Sequence, residues 1–179
     1  IYVTFKVRQV CRMFQVLLVL SAVDEMEFSR PFRTFAIKTA RPTIVIECDA
    51  SLGGGGGMIM IQGEDGKETV VGCFTVDLVS LGFGTDSRFQ NVAEFIVAVV
   101  AIRTARRMGL SVTRVHLRMD SETALSWSQK KFRGVQVSAA ACVYCFMLAI
   151  YQVEWVSDEH LAGKLNVRAD KLSRGVTWA

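Results

Sequence analysis

The sequence predicts an α/β protein in which a mixed five-stranded sheet is flanked by helices, with a helical extension in front. Three observations predict it. Short β-branched runs follow one another between Thr43 and Val76. A long apolar pattern at helical spacing then fills Asn91 to Met108. From there short strands and helices alternate, giving the order β-β-β-α-β-α-α-β-α.

Taken in order, Lys6 to Val23 reads as a helix because Val10, Met13, Phe14, Leu17 and Leu18 recur at helical spacing. A charged, proline-containing connector follows from Asp24 to Pro42, so residues 1–40 form a helical extension and 41–179 the main domain. Thr43 to Asp49 is short and β-branched, a strand. Gly53 to Gly57 reads as a turn and Met58 to Gln62 as the returning strand. Glu64-Asp-Gly-Lys67 is a second turn signal, Thr69 to Val76 a third strand, and Val79 to Gln90 a loop. Asn91-x-x-Glu94 has the spacing of a capping box at a helix start, and Gly109 is the stop. Val112 to Met119 reads as a strand, Ser121 to Lys131 as a helix and Val137 to Ala149 as another. Gln152 to Val156 is the fifth strand and Val167 to Arg174 the last helix.

At 179 residues the chain can bury a proper core without staples. It is apolar, with 51% hydrophobic residues and a mean hydropathy of +0.31. The uncharged stretch Gly134 to Val153 has the length of a membrane span. Its Gln136, Ser138 and Gln152 favour a buried helix running into a buried strand, so no membrane partner is expected. No signal peptide opens the chain, and the missing initiator Met suggests a segment of something longer. Five cysteines spread among apolar residues point to reduced thiols and an intracellular, cytoplasmic or nuclear setting. Cys142-x-x-Cys145 lacks the second pair that a zinc site needs. The net charge of +4 permits a polyanionic partner.

Four acids carry the chemical signal: Asp49, Glu94, Asp120 and Asp170. Each has a local explanation. Asp49 could shape a turn, Glu94 could close the capping box, Asp120 could cap a helix, and Asp170 could sit on a helix dipole. Together they fall at element ends that can meet at one sheet edge. Two unit charges about 4 Å apart repel by roughly 4 kcal/mol at an effective dielectric near 20. Gathered acids therefore call for a divalent cation, and oxygen donors favour magnesium or manganese. Glu47, two residues before Asp49 on the same strand face, is a rival ligand.

These residues resemble the ribonuclease H domain that follows reverse transcriptase in retroelements, over roughly residues 43 to 175. Asp49-Ala-Ser-x-x-Gly54-x-Gly56 is similar to its first strand and glycine turn. Asn91-Val-Ala-Glu94 looks like its glutamate helix, and Val115-His-Leu-Arg-Met-Asp120-Ser its third-carboxylate strand. The most specific match is His160-Leu-Ala-Gly-Lys-Leu-Asn166-Val-Arg-Ala-Asp170-Lys-Leu-Ser-Arg174, the retroelement ending. Elements with a tyrosine recombinase, then gypsy-like ones, resemble it most. The first forty residues would be the tail of a polymerase thumb or connection region.

The resemblance implies a ribonuclease H-like fold and hydrolysis of the RNA strand of RNA–DNA hybrids, beside a polymerase domain in cis. It implies two Mg²⁺ ions, replaceable by Mn²⁺, with Asp49 bridging both. Glu94 and Asp120 would serve the ion near the leaving oxygen and Asp170 the ion that activates water. His160 would act in proton transfer or product release. Ser51, Gly54, Gly56, Asn91, Ser121 and Asn166 would contact nucleic acid, selecting hybrid by 2′-hydroxyls and A-like shape. Glu122 and Leu161-Ala162 depart from the family pattern without removing an expected ligand. Two alternatives stay open: a catalytically degenerate scaffold or hybrid-binding module, and another nuclease of the same fold, which would lack the Asn166 to Arg174 ending.

Overall fold

In a computed structural model of the chain, the described residues are 42–81, 87–129, 131, 140–145 and 153–175, with Cys11 and Gln15 as isolated positions. Apart from these two and Pro42, the expected helix over 6–23, the connector over 24–42 and the boundary near residue 40 lie outside the described residues. So does most of the uncharged stretch Gly134 to Val153, of which residues 140–145 are helical. Among the described residues no helix is long and apolar enough to cross a membrane.

Five strands form one mixed sheet: β1 (Thr43–Ser51), β2 (Gly54–Gln62), β3 (Glu68–Asp77), β4 (Arg114–Met119) and β5 (Glu154–His160). Their spatial order is β3-β2-β1-β4-β5. The β1–β2 and β2–β3 pairs are antiparallel, whereas β1–β4 and β4–β5 are parallel. The central position of β1 explains its near-continuous apolar run, since Ile44, Val45 and Ile46 are all buried although they alternate between faces. The three parallel strands end at the same edge, the place where side chains from separate elements can meet in such a sheet.

The two faces are covered differently. One carries α1 (Gln90–Arg107), α2 (Glu122–Ser128) and the helical residues 140–145, packed on Ile44, Ile46, Cys48, Ile59, Val115, Leu117 and Met119. Phe95 of α1 meets Trp127 of α2 edge to face at 5.9 Å, a contact that adds about 0.5–1.5 kcal/mol to their burial. The other face receives α3 (Val167–Ser173), with Ala169 and Leu172 buried on it.

The structure corrects the expected glycine turn. Only Leu52 and Gly53 link β1 to β2, with Gly53 at φ 90°, and the remaining glycines are strand residues paired with β1. The reason is tertiary. A Cβ on Gly54 would lie 2.3 Å from the Ser173 carbonyl oxygen, and one on Gly56 would lie 2.5 Å from the Leu172 carbonyl carbon. The bare strand lets the backbone of α3 settle against the sheet, a use of glycine that overrides its turn preference.

Other boundaries also differ from those expected. β1 runs two residues past Asp49, placing that acid inside the strand. α2 stops at Ser128, short of Lys131. β5 extends to His160, so this histidine closes the strand, past the expected end at Val156. α1 begins at Gln90 after a 3₁₀ turn over Ser87–Phe89, and no side chain caps it, so the capping-box reading of Asn91 and Glu94 fails. Gly109 does stop α1, at φ 79°, with its N–H donating to the Arg106 carbonyl.

Candidate metal centre

Asp49, Glu94 and Asp120 come together at the carboxyl edge of the parallel strands. One carboxylate oxygen from each lies within 4.8 Å of the others. β1 supplies Asp49, the first turns of α1 supply Glu94, and Asp120 follows the last residue of β4. Asp120 is free for this because Ser121 takes the helix cap, its hydroxyl accepting from the Ala124 N–H at 3.3 Å.

Glu94 does not cap the backbone of its own helix terminus. Its Oε2 accepts from the Ala50 backbone N–H at 3.3 Å, and its Oε1 accepts from the Gln90 side-chain amide at 2.9 Å. The same Gln90 amide also donates to the Ala50 carbonyl, so Gln90 bridges α1 to β1. Burial, the largest cause, pushes the Glu94 carboxyl up to about 8, with the charges of Asp49 and Asp120 adding to it. Burial likewise raises the Asp49 carboxyl, opposed by a hydroxyl bond from Ser173 and reinforced by the charges of Asp120 and Asp170. Buried carboxyls pushed further up by their acidic neighbours fit a divalent cation, and the all-oxygen donor set suits a hard one.

Asp170 stands beside this group rather than in it. It lies in the first turn of α3, close enough for its charge to raise Asp49, but Arg174 donates to its Oδ1 from Nε at 2.9 Å and Nη2 at 2.8 Å. His160 is exposed, with Nε2 3.1 Å from the Asp120 backbone carbonyl oxygen. Gly163 approaches the same residue, since a Cβ there would lie 3.5 Å from Asp120 Oδ2. Glu47 is outside the three-carboxylate group; burial raises its carboxyl and the guanidinium groups of Arg118 and Arg168 oppose the rise.

The expected nucleic-acid contacts divide. Asn91 is exposed in the first turn of α1, and Ser121, next in sequence to Asp120, is half-buried. Ser51 is half-buried, and its hydroxyl donates to the Ser173 carbonyl at 2.7 Å. Gly54 and Gly56 face the backbone of α3. Asn166 is 1% exposed and donates to the Cys48 carbonyl at 3.4 Å, which ties the entry of α3 to β1 and leaves little surface for a ligand. Gln90 and Ser173 were not singled out from sequence. Gln90 lies four residues before Glu94, a spacing that puts both on one helix face, and Ser173 lies within the closing motif.

No family model matches the sequence, and no curated protein matches it. Solved structures do match in shape. An N-terminal RNase H domain from Mycobacterium tuberculosis, solved as a fusion with maltose-binding protein, superimposes with a TM-score of 0.53 at 21% identity, over 74% of this chain and 97% of that one. RNase H1 from the archaeon Halobacterium salinarum gives 0.53 at 16% identity, over 76% and 97%. LC11-RNase H1, isolated from compost by a metagenomic approach, gives 0.52 at 18% identity, over 77% and 96%; that protein has also been solved in complex with an RNA/DNA hybrid. At these identities the likeness establishes architecture: the chain has the ribonuclease H-like fold, a mixed five-stranded sheet flanked by helices.

Proposed function

We propose that this chain is a divalent-metal-dependent endonuclease that hydrolyses the RNA strand of RNA–DNA hybrids, as the nuclease domain of a retroelement reverse transcriptase. The observation that carries the reading is the convergence of Asp49, Glu94 and Asp120 on one cation-sized point at the sheet edge. The fold and the Asn166 to Arg174 ending support it, and the complex of LC11-RNase H1 with an RNA/DNA hybrid is consistent with the substrate class proposed. In this reading residues 1–40 belong to the preceding polymerase and 41–179 form the nuclease.

Asp49, Glu94 and Asp120 would hold one ion, and Asp49 with Asp170 a second, Mg²⁺ or Mn²⁺ in each case. Bound there, such ions polarise the scissile phosphate and lower the pKa of water. The residues of the chain do the rest. Gln90 and the Ala50 N–H orient Glu94, and α3 brings Asp170 toward β1. His160 relays a proton or assists departure of product from the rim. Asn91 and Ser121 offer donors to backbone oxygens and 2′-hydroxyls, which distinguish RNA from DNA.

A hybrid of labelled RNA with DNA tests this directly. Cleavage confined to the RNA strand, dependent on Mg²⁺ or Mn²⁺ and nearly abolished by Asp49→Asn and by Asp120→Asn, is the expected result. Robust metal-dependent cleavage by both variants would overturn the assignment. A second reading, a module that grips hybrid without cutting it, draws on the engagement of Asp170 by Arg174. Hybrid binding with no cleavage at saturating Mn²⁺ would favour it.

A further inference from the structure

Ser173 is 3% exposed, yet its hydroxyl lies 2.9 Å from Asp49 Oδ2. The hydroxyl oxygen is also 2.9 Å from the Asp170 carbonyl, so its single proton has two acceptors. The charged oxygen of Asp49 is the stronger of them. Three further contacts fix where that hydroxyl sits. Ser51 donates to the Ser173 carbonyl at 2.7 Å, the bare Cα of Gly54 admits that same carbonyl, and Gly56 admits Leu172. α3 is thus held at backbone distance from β1 and β2, and the one hydroxyl it turns inward meets the central acid of the carboxylate group.

We propose that Ser173 is the positioning residue of this metal centre: its hydroxyl holds the Asp49 carboxylate in the orientation that faces Glu94 and Asp120. The proposal rests on the metal-centre reading above. A buried carboxylate with no donor at one oxygen can rotate about χ2, and binding a cation would then have to restrict that freedom. With Oδ2 tied to α3, the group is pre-set. The hydroxyl also couples cation binding to the docking of α3, so the helix that carries Asp170 is seated when Asp49 is in place.

The test is calorimetric titration of Mn²⁺ into the full 179-residue chain. Ser173→Ala and the near-isosteric Ser173→Cys, a poor donor, are each expected to bind Mn²⁺ about 10- to 100-fold more weakly, the effect usual for partners that orient a ligand. Ser128→Ala is the control for loss of a buried hydroxyl elsewhere: Ser128 donates to Asp158 Oδ2 at 2.7 Å, and its removal should lower thermal stability while leaving Mn²⁺ affinity unchanged. If Ser173→Ala does not fold, Ser173→Cys decides. Wild-type affinity in a folded Ser173 variant would overturn the proposal, as would an equal loss in Ser128→Ala. A wild-type chain that takes up no Mn²⁺ would instead remove the metal-centre reading itself.

Discussion

Arg174 holds Asp170 one helical turn back, with Nε and Nη2 converging on the same carboxylate oxygen at 2.9 and 2.8 Å. The pair lies at the surface, where such contacts add little stability. It does, however, supply an internal cation to the one expected ligand that stands outside the three-carboxylate group. Arg174→Ala should therefore shift the melting temperature by no more than about 2 °C. In the two-ion reading, the same change should tighten the weaker of two Mn²⁺ binding steps. An isotherm identical to wild type would show that Arg174 does not compete for Asp170.

Burial lifts Glu94 from 4.5 to about 8, which sets a direction for stability against pH. A carboxyl with a raised folded pKa binds more protons in the native state than in the unfolded one between these values. The contribution of this group is therefore most favourable below about pH 4.5 and is lost as pH rises through about 8. Asp49 pulls in the same direction. A tenfold change in proton affinity corresponds to about 1.4 kcal/mol, so the cation-free chain should lose on the order of a few kcal/mol across this window. In EDTA the melting temperature should fall steadily from pH 5 to pH 8. Glu94→Gln should flatten much of that slope, and saturating Mg²⁺ should reverse it for the wild type only. A wild-type slope equal to that of Glu94→Gln would contradict the assignment.

The glycine strand makes a steric prediction. In Gly56→Ala the new methyl group would meet the Leu172 carbonyl carbon at 2.5 Å and its Cβ at 2.7 Å, so α3 must move away from the sheet. Overpacking of this kind costs about 1–3 kcal/mol, or about 2–12 °C in melting temperature for a chain of this size. Gly66→Ala is the contrast, because nothing lies within 4 Å of its Cβ and only the φ of 77° opposes the change. It should cost about 1–2 kcal/mol and leave hybrid cleavage intact. Cleavage by Gly56→Ala should fall well below that of Gly66→Ala once both are assayed at temperatures where they remain folded. Equal activity would mean that the close approach of α3 is not needed for catalysis.

The limits of the sequence reading have a common physical origin. Asp120 was recognisable because β-branched strands and the helices after them leave local signals, and the acid falls where one ends. Glu94 was placed on the right helix with the wrong local partner. Its capping-box spacing is real, but its carboxylate bonds the Gln90 side chain one turn back and the Ala50 N–H, and the latter, 44 residues away, is encoded by no local pattern. The glycine run failed in the same way. Alone, five glycines read as a turn, yet Gly54 and Gly56 are strand because Ser173 and Leu172 fill the space their side chains would take. Propensity describes what a segment prefers in isolation, and packing against a distant helix outweighs it.

His160 closes β5 with Nε2 3.1 Å from the Asp120 carbonyl. A carbonyl oxygen only accepts, so Nε2 carries the hydrogen of this bond and Nδ1 is the ring nitrogen that the carbonyl does not engage. The ring is thereby held next to the carboxylate group through a backbone bond, without a bond to any of the three carboxylates. As a group that moves protons or helps product leave, it should matter to turnover and not to cation uptake. His160→Ala is expected to lower kcat on a hybrid by about 100-fold or more, the range typical of a lost acid–base group, with Mn²⁺ affinity unchanged. Single-turnover kinetics then divide the two roles. If the first cut is as fast as in wild type while steady-state turnover drops, His160 acts in product release; if the first cut slows equally, it acts in proton transfer. Unchanged kcat would exclude both, and a parallel loss of Mn²⁺ binding would make His160 part of the cation site instead.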